Sequence, residues 1–222
     1  RPTQSSSSDT TPTDIVVNGN IIQQAHDGRY YGILQIQTEK DSTVLVNGSV
    51  AFGWTLSVRG AVFTVSSTGE VKASDPASTS STILVDARSG VGGKFIVDGS
   101  KAVSAVVLDV DELGSFEMKN EAAAAFDTVD LAKNATLLVA DGSTLTADAV
   151  TNAGTIQITG ENGKLAVAEG GLTNKGAIVF GASDKTVNTT FDVGMLSKKA
   201  GSSAFNFQNG EVTLTGVMAD GI

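Results

Sequence analysis

The chain has no cysteine and a single histidine, and each scarcity removes a class of explanation. Without cysteine there is no disulfide framework and no thiolate metal site, and the composition suits a chain that stays unfolded until export. A hydrolase built on an imidazole base would have to use His26, yet no G-x-S-x-G or G-D-S-G nucleophile motif accompanies it. Aromatic residues make up only 5%, too few for one bulky globular core. No apolar run reaches the length of a membrane span, so the chain itself is not expected to insert into a bilayer. The first residues carry no signal-peptide pattern, which a processed chain has lost. Basic residues are outnumbered 15 to 24, for a net charge of −9, which argues against nucleic acid or an anionic membrane as partner.

What is present is apolar, small and repetitive. Hydrophobic residues reach 41%, enough for a continuous core, and 25 glycines suit thin layers joined by tight corners. Residues 135–139 read A-T-L-L-V, 154–158 read G-T-I-Q-I, and 176–180 read G-A-I-V-F. Each copy has a small residue, a small or hydroxyl residue, and two large apolar residues straddling an outward position. Leu137, Ile156 and Ile178 stand 19 and 22 residues apart. The apolar-x-apolar centre has the two-residue period of a strand, and a spacing near twenty is too short for a domain. One such strand cannot bury its face alone, whereas stacked copies can.

The pairs extend along the chain as Val44/Val46, Phe63/Val65, Phe95/Val97, Phe116/Met118, Leu137/Val139, Ile156/Ile158, Ile178/Phe180 and Phe205/Phe207. Successive steps are 19, 32, 21, 21, 19, 22 and 27. A run of turn formers at 74–82 accounts for the first long step, and a polar stretch with Asp184-Lys185 and Lys198-Lys199 for the last. A second strand begins eight residues after Phe63, Phe95 and Leu137, beyond a Gly corner. A third apolar position precedes the next pair by six residues, at Val110, Leu131, Val150 and Leu172. Three strands and three corners per turn of about twenty residues specify an all-β, right-handed parallel β-helix, a β-solenoid of triangular section. A six-residue period, the mark of a left-handed hexapeptide helix, is missing, and two tandem β-sandwiches would not explain the spacing.

Residues 1–13 are polar and read as a disordered leader. Residues 14–43 read as an N-terminal cap with the first irregular turns: strand, turn and strand over 15–22, then a break at 26–32 suited to covering an open edge. Residues 44–222 form the repeats.

The run L-T-A-D-A-V-T-N-A-G-T-I-Q-I-T-G (145–160), its echo G-L-T-N-K-G-A-I-V-F-G (171–181) and V-A-D-G-S-T-L-T (139–146) resemble the passenger repeats of Gram-negative autotransporters of the type V secretion pathway. The resemblance implies export to the cell surface or beyond, and attachment to the outer membrane through a C-terminal barrel that this chain lacks. The expectation is therefore a fragment of a longer passenger, stopping mid-repeat.

Candidate sites are few. Asn152 and Asn174 occupy matching corners, where stacked amides can bond to each other and to the corner backbone, a structural ladder favoured over a ligand groove. Asp109 and Asp111, followed by Glu112, share a strand face and are the weak candidates for a Ca²⁺ site or for a polysaccharide lyase or hydrolase. No further carboxylate cluster stands beside them in the sequence, so a solvated acidic face is the preferred reading, with no catalytic residue, cofactor or metal. Tyr30, Tyr31 and Trp54 hold the whole Tyr and Trp content. They are read as a buried plug, or alternatively as an aromatic contact for sugars. Three N-x-S/T sequences, at Asn47, Asn134 and Asn188, are expected by chance in so hydroxyl-rich a chain. The functional expectation is an adhesin-like passenger without catalysis. Its partner is an extracellular glycan or protein receptor, or another copy of itself. The alternatives are the lyase and a purely structural stalk.

Overall fold

The computed structural model describes residues 14–24, 32–38, 42–74, 80–99, 102–140, 142–159, 163–168 and 171–180, and the strand backbones at 190–192, 205–207 and 211–214. Its regular elements are all strands, stacked as a parallel β-solenoid with three strands per turn. The first ladder runs through Asp14–Val17, Thr43–Val46, Val62–Val65, Lys94–Asp98, Ser115–Lys119, Thr136–Val139, Thr155–Ile158, Ala177–Phe180 and Glu211–Leu214. The second begins at Ile21–Ile22, Ser49–Phe52 and Glu70–Ala73, and the third at Ile33–Gln37, Thr55–Arg59 and Thr82–Arg88. These two fuse in the bent strands Ala102–Val110, Ala123–Leu131 and Thr144–Asn152, then separate again into Lys164–Val167 and Leu172–Asn174.

Register follows the apolar pairs. Val44, Phe63, Phe95, Phe116, Leu137, Ile156 and Ile178 are successive partners on the first ladder. All face inward and all but Val44 are fully buried. Phe63, Phe95 and Phe116 stack edge-on, with ring centroids 5.0 and 5.3 Å apart, and Phe126 from the bend meets Phe116 at 5.9 Å. Edge-to-face contact lets identical rings repeat along the axis without the repulsion of face-to-face π clouds.

Three expectations need correction. Phe205–Phe207 belongs to the third ladder, paired with Leu172–Asn174, and the partner of Ile178 on the first ladder is Val212. The alternating pattern is the same on every ladder, so pattern alone does not say which ladder a strand joins. The third-strand column was also misaligned, because Val150 and Leu172 partner Val129 and Leu108, while Val110 and Leu131 partner Asn152 and Asn174. Finally, the 32-residue step from Phe63 to Phe95 has two causes. Relative to the next turn, seven extra residues lie between Val71 and Ile83, and four lie between Val85 and Phe95. The four make an antiparallel hairpin, Val91–Gly92 on Ala87–Arg88, around Ser89 and Gly90, both at positive φ.

Corners are made by small residues. Ala61, Gly93, Gly114, Ala135, Gly154 and Gly176 each stand two positions before a first-ladder core residue. A Cβ on Gly154 would collide with the Ala135 carbonyl oxygen, and one on Gly176 with that of Gly154. This crowding is the physical origin of the small residue that opens each repeat.

Candidate functional site

The buried polar groups come first. Asn152 and Asn174 are fully buried, and Asn152 Nδ2 donates to Asn174 Oδ1 at 2.6 Å and to the Ala177 carbonyl at 3.0 Å. Each amide also closes its own corner. Gly154 N donates to Asn152 Oδ1 at 3.0 Å, Gly176 N to Asn174 Oδ1 at 3.3 Å, and Asn174 Nδ2 to the Gly176 carbonyl at 3.0 Å. With donors and acceptors spent on the backbone, nothing remains to meet a ligand. Ser143 and Ser81 are buried for the same kind of reason, accepting from Ala122 N and Val106 N.

Asp109 lies on the outer face of the third ladder, and its register partner in the next turn is Asp130. Asp86 and Asp111 complete a group of four carboxylates spread over three turns. Asp86 and Asp130 are neighbours the linear sequence hides, standing 23 residues before and 21 after Asp109. Burial pushes the Asp109 carboxyl above its ordinary value, and the charges of Asp111, Asp130 and Asp86 push the same way. The one arginine in the column, Arg59, is held by Asp86 at 2.8 Å. Asp111 Oδ1 accepts from Glu112 N at 2.9 Å, which orders its own corner. Among the described residues no group of three or more carboxylate or imidazole side chains is placed to hold a metal ion.

A concave surface lies elsewhere, along the bend where the second and third ladders fuse. It is a shallow, open groove of about 600 Å³, floored by Ala73, Ala105, Phe126 and Ala147 and rimmed by Lys72, Ser104, Thr146, Asp127 and Asp148. Asp109 and Asp111 are not among its lining residues. Lys72 is paired with Glu70 at 2.7 Å. Asp127 and Asp148 are exposed, one turn apart, with no ion pair among the described residues.

Trp54 is 52% exposed, so it is not a buried plug. It occupies the corner between Phe52 and Leu56, whose side chains take the interior positions on either side. Its carbonyl accepts from Thr82 N, and the Ser81 carbonyl accepts from Val107 N, which places Trp54, Ser81 and Val106 on successive turns of one corner column. Asp127 and Asp148 continue that column. Neither carboxylate was singled out from the sequence, although their 21-residue separation matches the repeat. His26, Tyr30 and Tyr31 lie outside the described residues.

Comparison of the chain with protein-family models, with curated proteins and with solved structures gives no match.

Proposed function

We propose that this solenoid is a non-catalytic binding surface, an adhesin-like passenger segment displayed on or released from a Gram-negative cell. The observation that supports binding is the outer side of the first ladder. Its middle column presents Leu45, Thr64, Ile96, Glu117, Leu138, Gln157 and Val179 in successive turns, each half-buried. A row of alternating apolar and polar groups at a fixed spacing multiplies weak contacts along one face through effective concentration. The export route rests on the resemblance of the 139–181 repeats to autotransporter passengers. The lyase alternative draws on Asp109 and Asp111, but these stand apart from the groove and the neighbouring arginine is engaged by Asp86.

The test is display of the chain on cells. Binding to extracellular matrix or to one another above that of bare cells is the expected outcome, and no gain leaves the stalk reading. Cleavage of any member of a polysaccharide panel that disappears in Asp109→Ala or Asp111→Ala would replace adhesion by the lyase. Because the acidic face is solvated, EDTA is expected to leave the melting temperature unchanged, and a large loss restored by Ca²⁺ would reverse that assignment.

A further inference from the structure

The corner column and groove of the fused bend carry a more specific chemistry, which rests on the reading of the solenoid as a binding surface. We infer that this bend binds a linear, cationic amino-sugar chain lying along the solenoid axis, with one ring near Trp54 and ammonium groups at Asp127 and Asp148. Two observations point independently to a cation. An exposed indole attracts positive charge to its face, and Trp54 is the aromatic of this column. Three turns on, Asp127 and Asp148 are exposed carboxylates without an ion pair among the described residues, about 4.8 Å apart along the axis.

Sugar fits the groove better than peptide. The backbone groups of Ala102–Val110, Ala123–Leu131 and Thr144–Asn152 are engaged in the ladders between these strands. A bound peptide would find no free edge to pair with its own amides, which is how extended peptides gain affinity on sheets. A sugar brings only hydroxyl and amino groups, which Ser104, Thr146 and the two aspartates can meet from the rim. The Ala105, Phe126 and Ala147 floor is flat enough to take a pyranose ring. From Trp54 to Asp148 the column spans four steps, about 19 Å, so a short oligomer is sufficient to reach both ends. The whole-chain charge of −9 also favours a cationic ligand over an acidic glycan.

The experiment is calorimetric titration of the full chain at mildly acidic pH with three probes: a six-sugar β-linked glucosamine oligomer, its fully N-acetylated counterpart, and hexalysine. The free-amine oligomer is expected to bind, and the other two to bind at least about tenfold more weakly. Asp127→Asn with Asp148→Asn, and separately Trp54→Ala, should each weaken the free-amine oligomer by about tenfold. A control pair, Asp98→Asn with Glu117→Gln, removes the same charge from the distant first-ladder side and should leave binding within about twofold. Melting curves of all variants report folding. Equal weakening by the control pair, or hexalysine binding as tightly as the sugar, would overturn the inference in favour of general charge attraction or a basic peptide. Failure of every probe while displaying cells still adhere sinks only this ligand. Failure of both sinks the binding-surface reading as well.

Discussion

Two inward columns of the solenoid stack like on like, one made of rings and one ending in amides. Phe63, Phe95 and Phe116 give way along the first ladder to Leu137, Ile156 and Ile178, and the column accepts each without a change in the strand. The other column reads Val58, Val85, Val110 and Leu131, then Asn152 and Asn174. Here the side chain changes because the corner after it changes. From Leu131 to Leu137 there are six residues, and Gly114 N to Asp111 O and Ala135 N to Ala132 O close the longer corners through backbone bonds. From Asn152 to Ile156, and from Asn174 to Ile178, there are four. The shortened loop has no backbone carbonyl in place, and an inward amide oxygen takes its role. A ring column needs volume, whereas the amide column needs a particular partner at every atom.

The largest effect should come from emptying the ring column. Phe116→Ala removes a side chain that is fully buried and in edge contact with both Phe95 and Phe126. A loss of about 3–5 kcal/mol in denaturant unfolding is expected. A loss under about 1 kcal/mol would mean that the column repacks freely around the gap.

The amide column should respond to a smaller volume change with nearly as large a cost. Asn152→Ala strands the Gly154 N–H, the Ala177 carbonyl and the Asn174 amide oxygen. About 3 kcal/mol is expected, since each buried unsatisfied group costs roughly 1–3 kcal/mol. The comparison sharpens with a graft. Replacing residues 153–154 by the sequence of 132–135, together with Asn152→Leu, restores the longer corner that a leucine already serves at Leu131. If the amide is there because the corner is short, the graft should recover at least half of the loss seen for Asn152→Ala. No recovery would mean the asparagine answers to its neighbour Asn174 instead.

Most of the ring column was legible in the sequence, and the corner was not, for a shared reason. An apolar-x-apolar pair marks its own position, so seven consecutive first-ladder partners could be read from spacing alone. The third strands were aligned by counting six residues back from the next pair, which holds for Val110 and Leu131. Two missing residues in each later corner moved the count onto Val150 and Leu172, one strand position pair too early. The matching asparagines at 152 and 174 marked the true column, and nothing in hydrophobicity did. Insertions acted likewise: the loop at 74–82 is rich in turn formers, while the hairpin at Ser89 and Gly90 announces itself only by four residues of excess length. Asp86 and Asp130 are invisible beside Asp109 until the turns are stacked, so the density of the acidic group was underestimated.

That acidic group is a third case of like on like, and it is expected to be unfavourable. Rings meet edge to face and amides are self-complementary, but two carboxylates in register offer only acceptors and equal charge. Asp109 faces Asp130 directly, with Asp111 and Asp86 close by, and its carboxyl is held above the ordinary value of 3.8. A folded-state value above the unfolded one means that the native chain binds the proton more tightly. Stability therefore falls as pH rises from about the unfolded value through the raised one, and the penalty is fully present at neutral pH. Asp109→Asn should then stabilise the protein at neutral pH, by about 0.5 kcal/mol given that the group is half-exposed and water screens it. The gain should shrink toward zero as the pH is lowered past the ordinary carboxylate value, where Asp109 is already neutral. Paired melting curves of the two proteins across that range measure it. A gain that persists undiminished in acid would have to come from packing, and a loss at neutral pH would mean that the aspartate column is held by something other than water.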